Sequence, residues 1–585
     1  MVRQNWTNLN GEWDFCFDDE GIGEKNGWPL GFNADRKILV PFTYETKLSG
    51  IGDETVHEHV WYQRTIKVSR REDRDYILHL EGSDHLTKVW VNGAFAGLHK
   101  GAYERASYDI TTLLKDGDNL IVIGVTDSLS TRQPRGKQRW IHNNFGCWYV
   151  QTTGIWKTVW MEEVPKIRIE RLKMTPDLRK GTIDIEADIH GVPCSVEGQN
   201  EAEYFLEVDI TFKESPIRSF TASVKSDHVS VSADVRDHGE TEWGLHTWSP
   251  QDPALYDIVL KITGKDGCLD ETGSYFGMRD VRIEDGKVLL NGHPIYQKLI
   301  LDQGYWGDSH LTPPGEEALI EDIDKIHELG FNGLRKHMKI EDERFLYWCD
   351  VKGMLVWSEM AACYSFDDEA VSIFTDEWKD VVRQNYNHPC IITWTPFNES
   401  WGVPDIAGNR MQQHFTEAIY YLTKSMDSMR PVIVNDGWEH TISDILTLHE
   451  YEEKGEVFTE RYTSKKDEIL GGTFAHNLDK KALAGGYSYK GQPVILSEYG
   501  GIAFTTTSGE QWGYGNTVST EDEFVERYRK ITEAIMDMPY MCGFCYTQVS
   551  DVQQEVNGLM TIDRKFKVDP ARIREINMRR TSLHE

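Results

Sequence analysis

Two glutamates close apolar runs of this sequence. The run "CIITWTPFNES" ends in Asn398, Glu399 and Ser400, and "PVILSEYGG" places Glu498 at the end of another run. A carboxyl group either protonates a leaving oxygen or attacks a carbon centre, depending on its surroundings. Two carboxyl groups about 5 to 5.5 Å apart across one pocket suit the cleavage of a glycosidic bond with retention of configuration.

The part of the chain that carries both glutamates alternates buried strands with amphipathic helices. Eight candidate strands follow one another: "IYQKLILDQ", "NGLRKH", "MLVWSEM", "CIITWTPFNE", "PVIVN", "DILTLHE", "PVILSE" and "CGFCYTQ". Eight βα repeats predict a (β/α)₈ barrel, whose catalytic groups lie where the strands end. Glu399 would then end the fourth strand and Glu498 the seventh, on the same rim.

The preceding half of the chain has β character. Short strands with turn signals, such as the Asn-Gly hairpin in "KVWVNGAFAG", continue to about residue 165. Apolar and polar residues then alternate with period two, for example in "TIDIEADIH". These patterns predict two successive β-sandwiches ahead of the barrel, with domains at residues 1–165, 166–283 and 284–585.

Composition excludes some classes of partner. The formal charge of −32 opposes nucleic acid and anionic bilayers, because both need a positive face. No apolar window approaches the roughly 20 residues that span a bilayer, and the opening "MVRQNWTNLNGEW" lacks a signal-peptide core. We therefore expect a cytoplasmic protein. The 19 Trp and 25 Tyr exceed what packing alone requires and are typical of sugar-binding sites.

The motifs and their order resemble those of glycoside hydrolase family 2, which includes β-galactosidases, β-glucuronidases and β-mannosidases. The similar stretches run along essentially the whole chain: "LNGEWDF", "VWYQRTIKV", "VWVNG", "TTGIWKTVW", "VLLNGHPI", "GFNGLRKHMKIEDERFLYWCDVKGMLVWSEM", "FNESWG" and "SEYGG". The resemblance implies a jelly roll at 1–165, an immunoglobulin-like sandwich at 166–283 and a catalytic TIM barrel at 284–585.

The resemblance also implies residue roles. Glu399 would be the acid/base, with Asn398 beside it, and Glu498 the nucleophile of a retaining exo-β-glycosidase. Tyr451, in "HEYE", would hydrogen-bond the nucleophile or merely cover the rim. Further candidates for sugar contact are Asp302 and Arg335, a wall formed by Trp306 or Trp401, and Tyr546, which stands where relatives carry a sugar-stacking tryptophan. No organic cofactor or metal is implied, and a homo-oligomer is plausible because the family often forms one.

The sugar is left open between a galactose-type glycone and a uronic one. β-Glucuronidases of this family hold the carboxylate with an "N-x-K" element, whereas this chain reads "QEVNGLMT". The stretch "RKHMKIE" places Lys336, His337 and Lys339 near the pocket, where a cation would favour a uronide. Alternatively, these lysines neutralise the acidic residues that follow them.

Two rival functions are weighed against the glycosidase. A catalytically silent carbohydrate-binding protein would keep the fold, although such proteins commonly lose one of the two glutamates. A metal-dependent hydrolase would use Asp302, His310, His337 and His449 at the rim, although their spacing matches no metal motif.

Overall fold

The structure is a computed structural model, and it describes residues 1–192, 204–237, 244–265, 267–504 and 511–581. In these ranges, none of the helices is both long and apolar enough to cross a bilayer. The chain folds into two β-sandwiches followed by a barrel, which confirms the predicted architecture. The exact domain boundaries stay a prediction.

The first sandwich consists of antiparallel strands around its own core. Its two main sheets run in the order β1-β12-β5-β9 and β3-β2-β4-β10-β7-β8, and β6 pairs with β11. The strands are β1 (Trp6–Asn8), β2 (Gly11–Phe17), β3 (Arg36–Val40), β4 (His59–Val68), β5 (Arg74–Leu80), β6 (Ser83–Asp84), β7 (Leu86–Val91), β8 (Ala94–Lys100), β9 (Ala106–Asp109), β10 (Gly117–Thr126), β11 (Gly154–Ile155) and β12 (Val159–Pro165).

The second sandwich has a three-stranded and a four-stranded sheet, in the orders β13-β14-β17 and β16-β15-β18-β19. The predicted alternation is confirmed, since the isoleucines of β14 are buried between the two sheets. The strands are β13 (Arg168–Asp177), β14 (Thr182–His190), β15 (Tyr204–Phe212), β16 (Ser215–Val224), β17 (His228–Asp234), β18 (Tyr256–Gly264) and β19 (Gly267–Phe276). A small sheet of β20 (Val281–Glu284), β21 (Lys287–Leu290) and β22 (His293–Pro294) leads into the barrel.

The barrel contains parallel strands with helices between them. Its strands, including the short strands at the rim, are β23 (Gln297–Asp302), β24 (Gly333–Lys336), β25 (Leu355–Glu359), β26 (Ile391–Thr395), β27 (Phe397–Asn398), β28 (Asn435–Asp436), β29 (Leu446–Glu450), β30 (Ala475–Asn477), β31 (Lys480–Lys481), β32 (Val494–Gly500), β33 (Ile502–Phe504), β34 (Tyr514–Val518) and β35 (Met541–Thr547). The helices are α1 (Glu316–Glu328), α2 (Glu343–Lys352), α3 (Asp368–Asn385), α4 (Arg410–Met426), α5 (Gly455–Ser464), α6 (Lys466–Leu470), α7 (Glu521–Met536) and α8 (Pro570–Asn577).

Ladder pairs join seven barrel strands, single hydrogen bonds link the fifth segment to its neighbours, and the fifth strand is shorter than predicted. Seven strands pair in the order β26-β25-β24-β23-β35-β32-β29. The predicted fifth strand "PVIVN" forms regular pairs only at β28, which lies beside β27. The backbone N–H of His449 donates to the carbonyl of Gly437 at 3.3 Å, and this bond links the fifth segment to the sixth strand. All eight predicted strands therefore contribute to one ring.

A long segment of the first sandwich reaches the barrel rim. Residues 127–153 leave the sandwich after β10 and return at β11, and we call this segment the rim loop. The backbone N–H groups of Arg135 and Gly136 donate to the carbonyl of Ala362 at 2.9 and 3.1 Å. Gly136 has φ +59°, and a Cβ there would lie 2.4 Å from the carbonyl oxygen of Met338. This close approach requires glycine, and it fixes the rim loop above the second and third barrel strands.

Candidate active site

Glu399 and Glu498 face each other at the carboxyl ends of the barrel strands. Glu399 directly follows β27, and Glu498 lies within β32. One carboxylate oxygen of each glutamate and one ring nitrogen of His449 all lie within 4.8 Å of one another. The two glutamates, nearly a hundred residues apart in sequence, therefore share one pocket.

The backbone around Glu399 turns sharply as the strand ends. Glu399 and Ser400 have φ values of 52° and 61°, in the left-handed region that residues other than glycine rarely adopt. The Glu399 N–H donates to the carbonyl of Asp436 at 2.9 Å, and the Ser400 N–H donates to Asn435 Oδ1 at 2.9 Å. Strain of this kind is characteristic of functional sites, where neighbouring contacts hold the backbone in place.

Arg335 links the carboxylates at the floor of the pocket. Its guanidinium donates to Glu359 at 2.5 Å and to Glu498 Oε1 at 2.8 Å, and it lies 3.0 Å from Asp436. It also donates to Asn398 Oδ1 at 2.7 Å, so the amide NH₂ of Asn398 is the group left for another partner. The side chain of Arg335 is completely buried. The guanidinium of Arg335 thus fixes the side chains of Glu498 and Asn398 relative to each other.

His449 is a second cation of the site. Its Nδ1 donates to Glu399 Oε1 at 2.8 Å and its Nε2 donates to Asp436 Oδ2 at 2.9 Å, so both ring nitrogens act as donors. Burial alone would lower the pKa of His449, but the carboxylates of Glu498 and Asp436 raise it to about 10. Burial also opposes ionisation of Glu399, yet the hydrogen bond and charge of His449 hold the pKa of Glu399 below its usual value.

The pH dependence of the free energy of unfolding should reveal whether His449 is protonated. A pKa raised from about 6.5 to about 10 contributes stability that is complete below pH 6.5 and is lost as pH rises to 10. We expect the native protein to have a larger free energy of unfolding than His449→Gln at pH 6. This difference should shrink by a few kcal/mol as the pH rises to 10, at about 1.4 kcal/mol per pKa unit. Denaturant unfolding at pH 6, 8 and 10 measures this difference.

The matched control is His414→Gln, because the His414 side chain is 62 % exposed on α4. That variant should keep a constant difference from the native protein over the same pH range. A constant difference for His449→Gln would contradict the raised pKa.

Tyr451 contacts the other glutamate. Its hydroxyl donates to Glu498 Oε2 at 2.5 Å and lies 3.3 Å from the hydroxyl of Thr547. Burial and the charge of Glu498 raise the pKa of Tyr451 well above its usual value, so the phenol keeps its proton. Its ring stacks on Tyr514 with centroids 3.5 Å apart. Sequence predicted the contact of Tyr451 with Glu498, and the geometry brings these two side chains together.

Aromatic rings lie beside Glu399 at the pocket mouth. Trp401 meets Trp148 of the rim loop and Tyr364 edge to face, with centroids 5.3 and 5.4 Å apart. The indole N–H of Trp148 donates to the hydroxyl of Tyr364 at 2.7 Å. Trp401 thus belongs to a wall, as predicted, but sequence gave no sign that the first sandwich supplies the other half of it.

Lys336, Lys339 and Asp302 lie in an ion cluster outside the ring of strands. Lys336 pairs with Asp302 at 2.6 Å and with Glu341 at 2.9 Å, and Lys339 pairs with Glu341 at 2.8 Å. Each ammonium therefore already has a carboxylate partner of the kind that the alternative explanation proposed. Side chains alternate along a strand, so Lys336 points away from the pocket that Arg335 faces.

His337 and Tyr546 complete the predicted set. His337 lies beside Arg335, with Nδ1 3.0 Å from a guanidinium nitrogen, and burial lowers its pKa well below the usual value. Tyr546 is completely buried, and its ring packs on Tyr499 of β32 and on Tyr528 of α7. The structure thus brings His337 to the pocket floor and leaves Tyr546 behind the strand.

The trio of Glu399, His449 and Glu498 has spacing that could hold a metal ion. Its chemistry does not fit one, because an imidazolium that donates from both nitrogens has no lone pair to offer a cation. Within the ranges that the structure describes, the set Asp302, His310, His337 and His449 forms no such group. The rim is an ion-pair cluster in which carboxylates alternate with Arg335 and His449.

Sequence reasoning missed several residues of the site. Asp436 and Glu359 each end a barrel strand, so the strand-end rule that found the two glutamates also applied to them. Tyr514 lies on the short strand β34, which pairs in parallel with β33, and has no such signal. Lys137, Cys147 and the aromatic residues of the rim loop come from another domain, and local patterns do not predict their approach.

Comparison with known proteins follows the same domain order. A barrel with facing carboxylates at its rim, preceded by β-sandwiches, is a glycosidase architecture. Residues 6–165 match the sugar binding domain of glycosyl hydrolases family 2, residues 167–279 match a further model of that family, and residues 281–579 match its TIM barrel domain. The chain belongs to glycosyl hydrolase family 2, which confirms the resemblance seen in the motifs.

Individual relatives share only a modest fraction of identical residues with this chain. A β-galactosidase of Thermoanaerobacter pseudethanolicus is 28 % identical over 347 residues, covering 58 % of this chain and 44 % of the relative. A β-galactosidase of Klebsiella pneumoniae is 24 % identical over 481 residues, covering 75 % and 43 %. The chain spans less than half the length of these curated relatives.

Solved structures match over nearly the full length. A Bifidobacterium dentium β-glucuronidase complexed with coumarin-3-O-glucuronide superposes with a TM-score of 0.80 at 18 % identity, covering 99 % of this chain and 98 % of that one. A β-galacturonidase from Eisenbergiella tayi gives a TM-score of 0.75 at 18 % identity, covering 98 % and 96 %. At this identity the likeness shows the fold alone.

Proposed function

We propose that the chain is a retaining exo-β-glycosidase, with Glu498 as nucleophile and Glu399 as acid/base. The observation that carries the proposal is the approach of the two carboxylates to within 4.8 Å. Retaining glycosidases place these groups about 5 to 5.5 Å apart, whereas inverting ones need about 6.5 to 9.5 Å to admit a water molecule. The rim loop closes one side of the mouth, which favours a pocket for a chain end.

Glu498 is prepared to attack the anomeric carbon. Arg335 and Tyr451 donate to its two carboxylate oxygens and hold the side chain in one orientation. When the glycosyl ester forms, Glu498 loses its charge, and the leaving oxygen takes a proton. Asn398, with its amide oxygen held by Arg335, is placed to donate from its NH₂ group to a sugar hydroxyl.

His449 supplies the proton that Glu399 passes on. In the free site, the proton resides on His449, next to the ionised Glu399. In the free site, the charge of Glu498 raises the pKa of His449 more than any other charge does. Formation of the glycosyl ester removes that charge, so the pKa of His449 falls. His449 then releases its proton through Glu399 to the leaving oxygen. In the second step, water attacks the anomeric carbon and the ester bond to Glu498 breaks, so Glu498 regains its charge, while Glu399 takes the proton from water and returns it to His449.

The glycone is a galactose-type sugar or the related uronic sugar. Relatives named β-galactosidase and structural neighbours named β-glucuronidase and β-galacturonidase support this range. The silent carbohydrate-binding alternative is disfavoured by the hydrogen bonds that orient both glutamates toward one pocket, which binding alone would not require.

The configuration of the first-formed sugar tests the proposal. We expect proton NMR of an aryl β-glycoside digest to show the β-anomer first, followed by slow mutarotation to the α-anomer, because two displacements restore the original configuration. An initial α-anomer would contradict the retaining mechanism, and the absence of any product across a panel of aryl β-glycosides would favour the silent protein.

A further inference from the structure

Lys137 of the rim loop places an ammonium group in the pocket. The Lys137 carbonyl accepts from the Tyr149 N–H at 2.8 Å, and the neighbouring Gly136 is held against the barrel, so its backbone is fixed at both sides. Burial lowers the pKa of His337. The charge of Lys137 lowers it further, by more than the charge of Arg335, although Arg335 contacts the imidazole ring. The ammonium of Lys137 also lies 5.9 Å from the centroid of Trp148, whose ring meets Trp401 at the pocket mouth.

The same charge acts on the proposed acid/base. Beside the larger effects of burial and His449, the charge of Lys137 also holds down the pKa of Glu399. The contact of Gly136 with Met338 and the approach of Trp148 to Trp401 place Lys137 beside the mouth where the glycone would bind, and Lys137 comes from a different domain than the two glutamates.

The ammonium of Lys137 has a weak partner. It donates to Cys147 Sγ at 3.2 Å, and burial raises the pKa of this thiol, so the sulfur carries no charge at neutral pH. Among the described residues, no carboxylate forms an ion pair with it. Lys137 is half-buried, and a cation that loses part of its hydration without gaining a counter-ion is costly, so an anionic ligand would be stabilised there.

Glu555, a carboxylate whose charge acts on Lys137, already has several hydrogen-bond donors. Glu555 accepts from the Tyr149 hydroxyl, from Asn557 Nδ2 at 2.9 Å and from Gln303 Nε2 at 3.5 Å. It interacts with Lys137 only through space. Lys336 and Lys339 are likewise engaged in their own cluster, which leaves Lys137 as the cation of the described pocket with capacity for an anion.

We propose that Lys137 binds the carboxylate of a hexuronide, so that the preferred glycone is a uronic acid. This inference rests on the proposed glycosidase function. An anionic glycone placed beside Glu399 and Glu498 would be repelled unless a cation offsets their charges. Lys137 provides that offset and forms a charge-assisted hydrogen bond, which a neutral sugar neither needs nor fully uses.

The experiment compares pairs of substrates that differ only at C6. The kcat/KM values of 4-nitrophenyl β-galacturonide and β-galactoside, and of β-glucuronide and β-glucoside, are measured for the native protein and for Lys137→Met. We expect the native protein to prefer the uronide of one pair. The uronide-to-neutral ratio should fall in Lys137→Met on the order of 100-fold, the value of a charged hydrogen bond.

Two further variants control for folding and for loss of any lysine. Lys137→Arg keeps the charge and should keep the preference for the uronide. Lys115→Met removes an exposed lysine of the same sandwich and should leave the ratio unchanged. Thermal unfolding of each variant shows whether it is folded, and calorimetric binding of free galacturonate and glucuronate measures the charge recognition without turnover.

The outcomes separate the two proposals. Turnover of neutral glycosides without turnover of either uronide, or an unchanged ratio in Lys137→Met, would overturn the role of Lys137 and leave the glycosidase standing. No turnover on the whole panel would contradict the glycosidase. In that case, uronate binding that is lost in Lys137→Met would still support the anion site, and its absence would overturn it.

Discussion

Glu498→Gln should abolish hydrolysis of aryl β-glycosides, with kcat falling by at least about 10⁴-fold, as for other lost nucleophiles. An amide cannot form the glycosyl ester, although it has nearly the shape of the carboxylate. The fold should persist, because Arg335 keeps Glu359 and Asp436 as partners. Steady-state rates and thermal unfolding together separate a chemical defect from a folding defect.

A trapped intermediate sharpens this test. A 2-deoxy-2-fluoro glycoside with a good leaving group should form a stable ester on the native protein, and peptide mass spectrometry should place the label on Glu498. Glu460→Gln, which changes an exposed glutamate on α5, is the matched control and should keep native rates. Near-native turnover in Glu498→Gln, or a label on another residue, would refute the nucleophile assignment.

The barrel and its two glutamates were predictable because strand patterns are local. The apolar runs and the rule that catalytic groups lie at strand ends placed Glu399 and Glu498 on one rim. The same rule applies to Asp436 and Glu359, because each of them also ends a barrel strand. The short fifth strand was less predictable, since "PVIVN" has strand composition but forms few ladder pairs.

Alternation along strands explains which candidates lie outside the pocket. Arg335 faces the ring interior, so Lys336 faces the helices, where it pairs with Asp302 at the same register of the neighbouring strand. Thr547 lies 3.3 Å from Tyr451 on the pocket side, so Tyr546 faces α7. The alternation of side chains along a strand therefore predicts which of these residues face the pocket, whereas their position in a motif alone does not.

Contacts between domains could not be predicted from one sequence. Asn144 of the rim loop donates to Gln553 at 2.6 Å across 409 residues, and Arg135 binds the backbone beyond the third barrel strand. No periodicity marks such loops, because their side chains follow the shape of a distant surface. Lys137 and the aromatic wall therefore emerge only when the domains are packed together.

Glu399→Gln should show a loss that depends on the leaving group. General acid catalysis contributes about 10² to 10⁴ in rate, and an alkyl glycoside needs all of it because its leaving oxygen is strongly basic. We expect kcat/KM for a methyl or other alkyl β-glycoside to fall by that factor. For a dinitrophenyl β-glycoside, whose leaving group departs without a proton, the fall should be less than about tenfold.

The second half-reaction gives an independent measure of the same residue. Without a base at position 399, water attacks the glycosyl ester slowly, so a burst of dinitrophenol should precede a slow steady state. Azide needs no base, and it should speed the steady state and yield a β-glycosyl azide. An equal loss for both leaving groups, with no burst, would assign acid and base catalysis to another side chain, and His449 would be the first to examine because its Nδ1 lies 2.8 Å from Glu399.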